Sequence, residues 1–178
     1  QLQMLYSDDE RIRSLMKESQ SRLKSMALVH EKLYEGGDLS LVNFGQYIAE
    51  ISDHIRNAYP NNSVDIDVQL NVNDVRLNIA QAVPCGLIMN EVLTNCFKYA
   101  FSGRLAGSVQ INFEEKGDYY LLEVIDNGIG LPSDYDITKV KSLGITLIRT
   151  LTSQIKGTFE LSSKNGTRVV ITFPKQIR

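Results

Sequence analysis

Glu91, Asn95 and Lys98 stand at i, i+4 and i+7. On a helix that spacing puts a carboxylate, an amide and an ammonium on one stripe. In line, they suit a magnesium–triphosphate ligand: the Asn95 amide oxygen is a hard donor for Mg²⁺, and Lys98 is a compact positive charge for phosphate oxygens. A plainly solvated helix face would show the same spacing. A second candidate is Val124-Ile125-Asp126-Asn127-Gly128-Ile129-Gly130-Leu131-Pro132. Here an apolar strand ends in an acid that could accept a hydrogen bond from an exocyclic amine such as that of adenine, and the glycines let backbone approach a ligand. A simple Asp-Asn-Gly turn accounts for it equally. Third, Ser142 or Lys141 opens a helix whose first turn holds Gly144, and free N–H groups at such a mouth bind phosphate. The alternative is an ordinary capped helix burying Leu147, Ile148, Leu151 and Ile155. Asn165-Gly166-Thr167, taken alone, is a hairpin turn.

Several elements must position these residues. Asp8-Asp9-Glu10 places acids where the positive end of a helix macrodipole favours them. No Gly or Pro follows until Gly36-Gly37. Within that stretch Ile12, Met16, Ser19, Leu23, Met26, His30 and Leu33 alternate at spacings of four and three. This heptad seam predicts a long helix packed in a hairpin or dimeric bundle, with residues 1–7 as the tail of a preceding helix. Asn43 is placed to cap a helix with an apolar face at Phe44, Ile48, Ile51 and Ile55. Residues 64–70 alternate strictly and predict a strand, with 75–79 as its partner across a turn at Val72-Asn73-Asp74. A helix over 80–101, strands at 108–114 and 119–126, irregular sequence over 127–141, a helix over 143–155 and a hairpin pairing 157–162 with 167–173 complete the pattern. The expected class is α+β, a two-layer sandwich with helices on one face of a mixed, mostly antiparallel sheet, preceded by one long helix.

Composition narrows the function. The 178 residues are 43% hydrophobic and 22% charged, with no run long enough to span a membrane. A net charge of −2, with bases scattered among acids, offers no field for nucleic acid or for an anionic membrane. The opening Gln1-Leu2-Gln3, in mid-pattern and without a signal sequence, predicts a piece of a longer protein. On one helix Cys85 and Cys96 would lie roughly 16 Å apart. A disulfide tolerates about 7 Å between Cα atoms, so free thiols are expected, as in a reducing cytoplasm. His30 and His54 lack the company a metal site needs.

Taken together and in order, these pieces resemble the GHKL (Bergerat-fold) ATPases, which include DNA gyrase, heat-shock chaperones, mismatch-repair proteins and histidine kinases. Asn90 to Ala100 resembles the N box, Asp126 to Gly130 the G1 box, Ser142 to Ile148 the G2 box, and Gly166-Thr167 the closing pair. The Lys98-Tyr99 pair is typical of the histidine kinases. Upstream, Ser21 to Tyr34 resembles the second hairpin helix of the subgroup related to the HWE kinases. In that subgroup the acceptor histidine sits on the first helix, so it is expected to lie upstream of this chain. His30 matches the second-helix histidine rather than the phosphorylated one, and His54 matches nothing.

The resemblance implies a partial helical hairpin over 1–38 and an ATP-binding domain over 39–178, with ATP and Mg²⁺ as cofactors. Asp126, helped by Thr167, would hold the adenine amino group. Asn95 would bind Mg²⁺, and Lys98 and Tyr99 would line the phosphate and ribose region. Gly128, Gly130 and Leu131 would form the near side of a lid that returns at Ser142, Leu143 and Gly144. The short stretch between, 131–142, is expected to order on nucleotide. Asn90 and Glu91 belong to the N box, and Glu91 is the candidate general base or a water-mediated Mg²⁺ contact. The implied reaction is γ-phosphoryl transfer to histidine for relay to the aspartate of a response-regulator receiver domain. A homodimer through the hairpin and a cytoplasmic location are implied with it, with neither nucleic acid nor direct membrane contact. A GHKL ATPase hydrolysing ATP and a nucleotide-regulated docking module are the competing readings.

Overall fold

Strict alternation lets a strand bury one face and wet the other, and three strands of this protein use it. The computed structural model describes residues 10–35, 41–59, 64–72, 74–132 and 142–175. In chain order the elements are α1 (Glu10–Glu35), β1 (Leu41–Asn43), α2 (Phe44–Ala58), β2 (Asp65–Val72), β3 (Arg76–Asn78), α3 (Ile79–Asn95), a π-helical turn (Cys96–Ala100), β4 (Ala106–Lys116), β5 (Tyr119–Asp126), α4 (Leu143–Gln154), β6 (Thr158–Ser163) and β7 (Thr167–Pro174). The main sheet runs β2-β4-β5-β7-β6. Its β2–β4 pair is parallel and the other three are antiparallel. The α+β sandwich expected from the sequence is the observed architecture.

The inner face of the sheet carries Val109, Ile111 and Phe113 of β4, Leu122 and Val124 of β5, and Ile171 and Phe173 of β7, all buried. Phe113 meets Phe44 of α2 edge-on at 5.5 Å between ring centroids and stacks on Phe173 at 6.3 Å. The outer face is joined by a polar ladder. Asn71 donates to Asn112 (3.0 Å), Asn112 to Glu123 (2.5 Å), and Arg168 to the other Glu123 oxygen (2.7 Å). Cross-strand pairs of this kind hold a wet face in register.

The predicted hairpin between 64–70 and 75–79 does not form. β3 pairs instead with β1, with Val42 opposite Leu77, in a separate two-stranded ribbon. Val75 and Leu77 are fully buried there, while the inner edge of β2 is taken by the parallel strand β4. Asn43 caps α2 as expected, its side chain accepting from the Gln46 amide (3.1 Å). The predicted helix over 80–101 is present, but its last turn is π-helical. Cys85 and Cys96 are both free and buried. Residues 1–7 and the proposed boundary at 38 lie outside the described residues.

α1 meets the rest of the chain on a face the heptad pattern did not single out. Leu23 is 63% exposed, and Ile12 and Met26 are also on the surface. Among the described side chains of α1 the buried ones are Ser21, Ser25, Leu28 and Val29, spaced four, three and one apart so that they share one side. Ser25 donates to the Gly86 carbonyl of α3 (3.0 Å) and shares a second bond with the Tyr47 hydroxyl of α2 (2.5 Å). With its one proton committed to Gly86, the Ser25 oxygen accepts from Tyr47. Burial pushes the Tyr47 phenol well above its ordinary pKa. A Cβ on Gly86 would come within 2.6 Å of the Tyr47 oxygen and 3.0 Å of Val29. Gly86→Ala should therefore loosen α1 by overpacking, at a cost of about 1–3 kcal/mol. Hydrogen exchange should show α1 amides exchanging roughly tenfold faster or more, with β5 and β7 unchanged. Equal acceleration throughout would mean that α1 and the sheet open together.

Candidate functional site

Asp126 ends β5 inside the protein, at 4% exposure. A buried carboxylate must find donors, and two backbone N–H groups supply them to one oxygen: Gly128 (2.9 Å) and Thr167 (3.1 Å). The sheet register makes this possible, because Asp126 lies opposite Thr167. Gly166, with φ of +121°, carries the chain into that position, and a side chain there would overlap the Asp126 carbonyl. Gly128 is constrained differently, since a Cβ on it would overlap the Ala100 carbonyl. The second Asp126 oxygen has the Cys96 thiol at 3.7 Å. Burial, and then the charge of Asp126, push that thiol well up from its ordinary pKa.

A cavity of about 500 Å³ opens over Asp126, walled by Val92, Val124, Ile148 and Val169 among others. Of the residues singled out from sequence, Glu91, Asn95, Tyr99, Asp126, Gly130, Leu131, Ser142, Leu143, Gly144 and Thr167 line it. Asn90, Lys98 and Gly128 do not. Asn90 is buried between Ser21, which donates to it (2.6 Å), and Glu91, to which it donates (3.3 Å). Ser142 caps α4, accepting from the Ile145 amide (3.3 Å). The expected lid lies mostly at 133–141, outside the described residues.

Sequence reasoning did not find the ion-pair network at one end of this cavity. Arg22 of α1 grips both oxygens of Glu91, Nε to Oε1 at 2.6 Å and Nη2 to Oε2 at 2.9 Å. Glu91 is 6% exposed. The hydrogen bond to Glu91 holds the Arg22 guanidinium above its ordinary pKa. Lys98 donates to Glu18 (2.7 Å), one helical turn before Arg22. Burial alone would lower the Lys98 ammonium, but its bonds to Glu18 and Tyr99 hold it above the ordinary lysine value. Glu18 and Arg22 also line the cavity.

Two further residues fix the turn after Asp126. Arg104 donates to the carbonyls of Asn127 (2.7 Å) and Gly128 (2.9 Å). Ser163 accepts from the Leu131 amide (2.8 Å) and donates to the Gly166 carbonyl (2.9 Å), tying the turn to the last hairpin. Neither is marked by a motif, because Arg104 acts on backbone more than twenty residues away and Ser163 reaches Leu131 thirty-two residues back. His30 is exposed on α1. His54 is partly buried, and that burial, with Lys24 nearby, lowers its pKa.

The cavity suits an adenine nucleotide with Mg²⁺. It joins an apolar wall to a buried acid at one end and to charged and amide groups at the other. The Thr94 hydroxyl, buried at its wall, finds no partner among the described residues. Those residues hold no cluster of three His, Cys, Asp or Glu. Mg²⁺ on a nucleotide needs none, since it takes one or two protein oxygens and fills its shell with water and phosphate.

Comparison with known proteins agrees with this geometry. Residues 80–177 match the family of histidine kinase-, DNA gyrase B- and HSP90-like ATPases, and residues 1–59 match a histidine kinase family. The chain is 32% identical over 168 residues to sensor histidine kinase PdtaS of Mycobacterium tuberculosis, covering 91% of this chain and 33% of that protein. It is 26% identical over 155 residues to blue-light-activated histidine kinase 2 of Erythrobacter litoralis, covering 84% of this chain and 44% of that one. The chain thus spans a third to under half the length of these curated relatives. The solved histidine kinase domain of an Erythrobacter litoralis blue-light-activated histidine kinase superposes with a TM-score of 0.78 at 25% identity, over 88% of this chain and 74% of that one.

The Arg22–Glu91 pair gives a testable energetic consequence. Removing one partner of a buried, forked pair typically costs about 3–5 kcal/mol, because the other charge stays buried. If α1 lifted away in the variant, water would reach Glu91 and limit the loss. Arg22→Ala should lower unfolding stability in urea by about 2–3 kcal/mol, and adding Glu91→Gln should restore most of it. Equal losses in the single and double variants would show that the pair is not what the stability rests on.

Proposed function

The chain belongs to the histidine kinase-, DNA gyrase B- and HSP90-like ATPase family, and on that premise we propose that it is the catalytic end of a sensor histidine kinase. It binds Mg-ATP and passes the γ-phosphoryl group to a histidine of the helical hairpin, for relay to a response-regulator aspartate. The observation that carries the nucleotide part is Asp126. One of its oxygens is committed to two backbone amides, and the other, which has the weakly donating Cys96 thiol at 3.7 Å, keeps a lone pair for an exocyclic amine beside the apolar wall. That acceptor pattern fits adenine, which donates through its amino group.

The chain's own residues would then act as follows. Asp126 orients the base, with Thr167 beside it, and the turn from Gly128 to Leu131 closes over it. Asn95 and Tyr99 flank the sugar and phosphates, and Lys98 supplies charge for phosphate oxygens once it is free to turn inward. Ser142, Leu143 and Gly144 present the N-terminus of α4 to the phosphates. Mg²⁺, taken by the Asn95 oxygen, would neutralise phosphate charge. The imidazole nitrogen of the acceptor attacks the γ-phosphorus as the bond to the β–γ bridging oxygen breaks, with ADP leaving. Catalysis rests on positioning and charge neutralisation.

Glu91 bears on the choice between kinase and hydrolase. A hydrolase needs this carboxylate free to orient water, but Arg22 holds both of its oxygens. That favours phosphotransfer over hydrolysis in the docked arrangement. The exposed side of α1 at Ile12, Leu15, Leu23 and Met26 suits the four-helix bundle of a homodimer. We place the boundary between hairpin and ATP-binding domain near residue 38, between the end of α1 and the start of β1. No described helix is long and apolar enough to cross a membrane, and two buried free thiols fit a cytoplasmic setting.

Calorimetric titration with ATP, with and without Mg²⁺, tests the site. Wild type should bind saturably. Asp126→Asn should weaken binding about thirtyfold or more, the worth of a charge-assisted hydrogen bond, and Asn95→Ala should remove the dependence on Mg²⁺. Phosphotransfer to an added hairpin carrying the acceptor histidine would then establish the kinase. Steady phosphate release without phosphoprotein would favour the hydrolase, and a folded chain that binds no nucleotide would leave the docking module.

A further inference from the structure

The geometry points to Glu18, a residue of α1 outside the ATP-binding domain, as a determinant of how strongly the nucleotide site accepts phosphate. This rests on the nucleotide reading of the cavity. Glu18 lines the cavity, and its carboxylate holds the Lys98 ammonium at 2.7 Å with both side chains about four-fifths buried. A carboxylate oxygen on Lys98 makes the bond that a phosphate oxygen would make, so the two compete for one cation.

Charge balance sharpens the competition. Glu18, Lys98, Arg22 and Glu91 form one chain of contacts, with Arg22 also 3.9 Å from Glu18. Two acids and two bases cancel, so an arriving triphosphate meets no net positive charge in this group. Arg22 is not available in its place, since its fork is spent on Glu91. Within this group of four, the phosphates gain a cation only when Lys98 leaves Glu18. Each event then opposes the other: phosphate on Lys98 weakens the hold of α1, and a docked α1 weakens phosphate binding by the same factor. Adenosine alone, seated at the Asp126 end, is outside this competition.

The test is calorimetry on the whole chain with Mg-ATP and, separately, adenosine. Glu18→Gln keeps the shape of the side chain and removes its charge. It should tighten Mg-ATP binding about fivefold and leave adenosine binding unchanged, with the gain shrinking as salt rises. In a Lys98→Met background the same substitution should give little or no gain, because nothing remains to be released. Adenosine binding that is intact while Glu18→Gln leaves ATP affinity unmoved, or weakens it, overturns the proposal and spares the nucleotide site. An undiminished gain in the Lys98→Met background also overturns it, since the effect would then be plain repulsion of phosphate by Glu18. Failure of wild type and variant to bind either ligand would overturn both the nucleotide reading and this inference.

Discussion

A buried anion at the end of a strand is the constraint on which the rest of this structure depends. A buried carboxylate needs donors on it, and those of Asp126 come from the turn that follows and from the strand opposite. The register that seats Thr167 across from Asp126 also puts Val124 and Leu122 opposite Val169 and Ile171. A slip of one residue would turn those apolar side chains to the wet face and take the donor from the acid. Core and site are therefore fixed by one register, and neither can be built wrongly without the other.

α3 links that core to the charged end of the cavity. Its Ile88, Met89 and Leu93 are fully buried, while Glu91 and Asn95 reach the cavity. In the π-helical turn that follows, Phe97 and Ala100 are buried, Lys98 is largely covered against Glu18 and Tyr99 is exposed. A wider turn also changes the direction of every side chain after it. Lys98 meets Glu18 of α1, one helical turn before the Arg22 that holds Glu91.

This explains much of what the sequence revealed and what it hid. Alternation in β4 and β5 and the caps at Asn43 and Ser142 are local signals, and the structure carries them. Asp126 stood out only in company with the other motifs and their order, because a strand ending in Asp-Asn-Gly reads as well as a plain turn. The β1–β3 ribbon was not legible, because three residues per strand hold no periodicity, and Val75 and Leu77 alternate as well for one partner as for another. The parallel pairing of β2 with β4 is set by tertiary packing rather than by a turn. Arg22, Arg104 and Ser163 escaped notice for a common reason. Each acts on a group 23 to 69 residues away, and nothing in their own neighbourhoods marks them. The π-helical turn was hidden as well, since its composition is that of an ordinary helix end.

The heptad pattern of α1 leaves Ile12, Leu23 and Met26 on the surface, and it is the other side of the helix that docks within this chain. That division has a physical logic. Burying Leu23, Met26 and Ile12 against the ATP-binding domain would give a contact with a large apolar term and little reason to open. The contact actually made centres on Ser21, Arg22, Ser25 and Glu18, with Leu28 and Val29 behind them. Ion pairs repay little more than their own desolvation, so an interface of this kind specifies one arrangement without binding it tightly. Under the function proposed above, a domain that carries ATP to a histidine elsewhere on a hairpin would need that combination: a defined resting position, and a hold weak enough for competing charges to break.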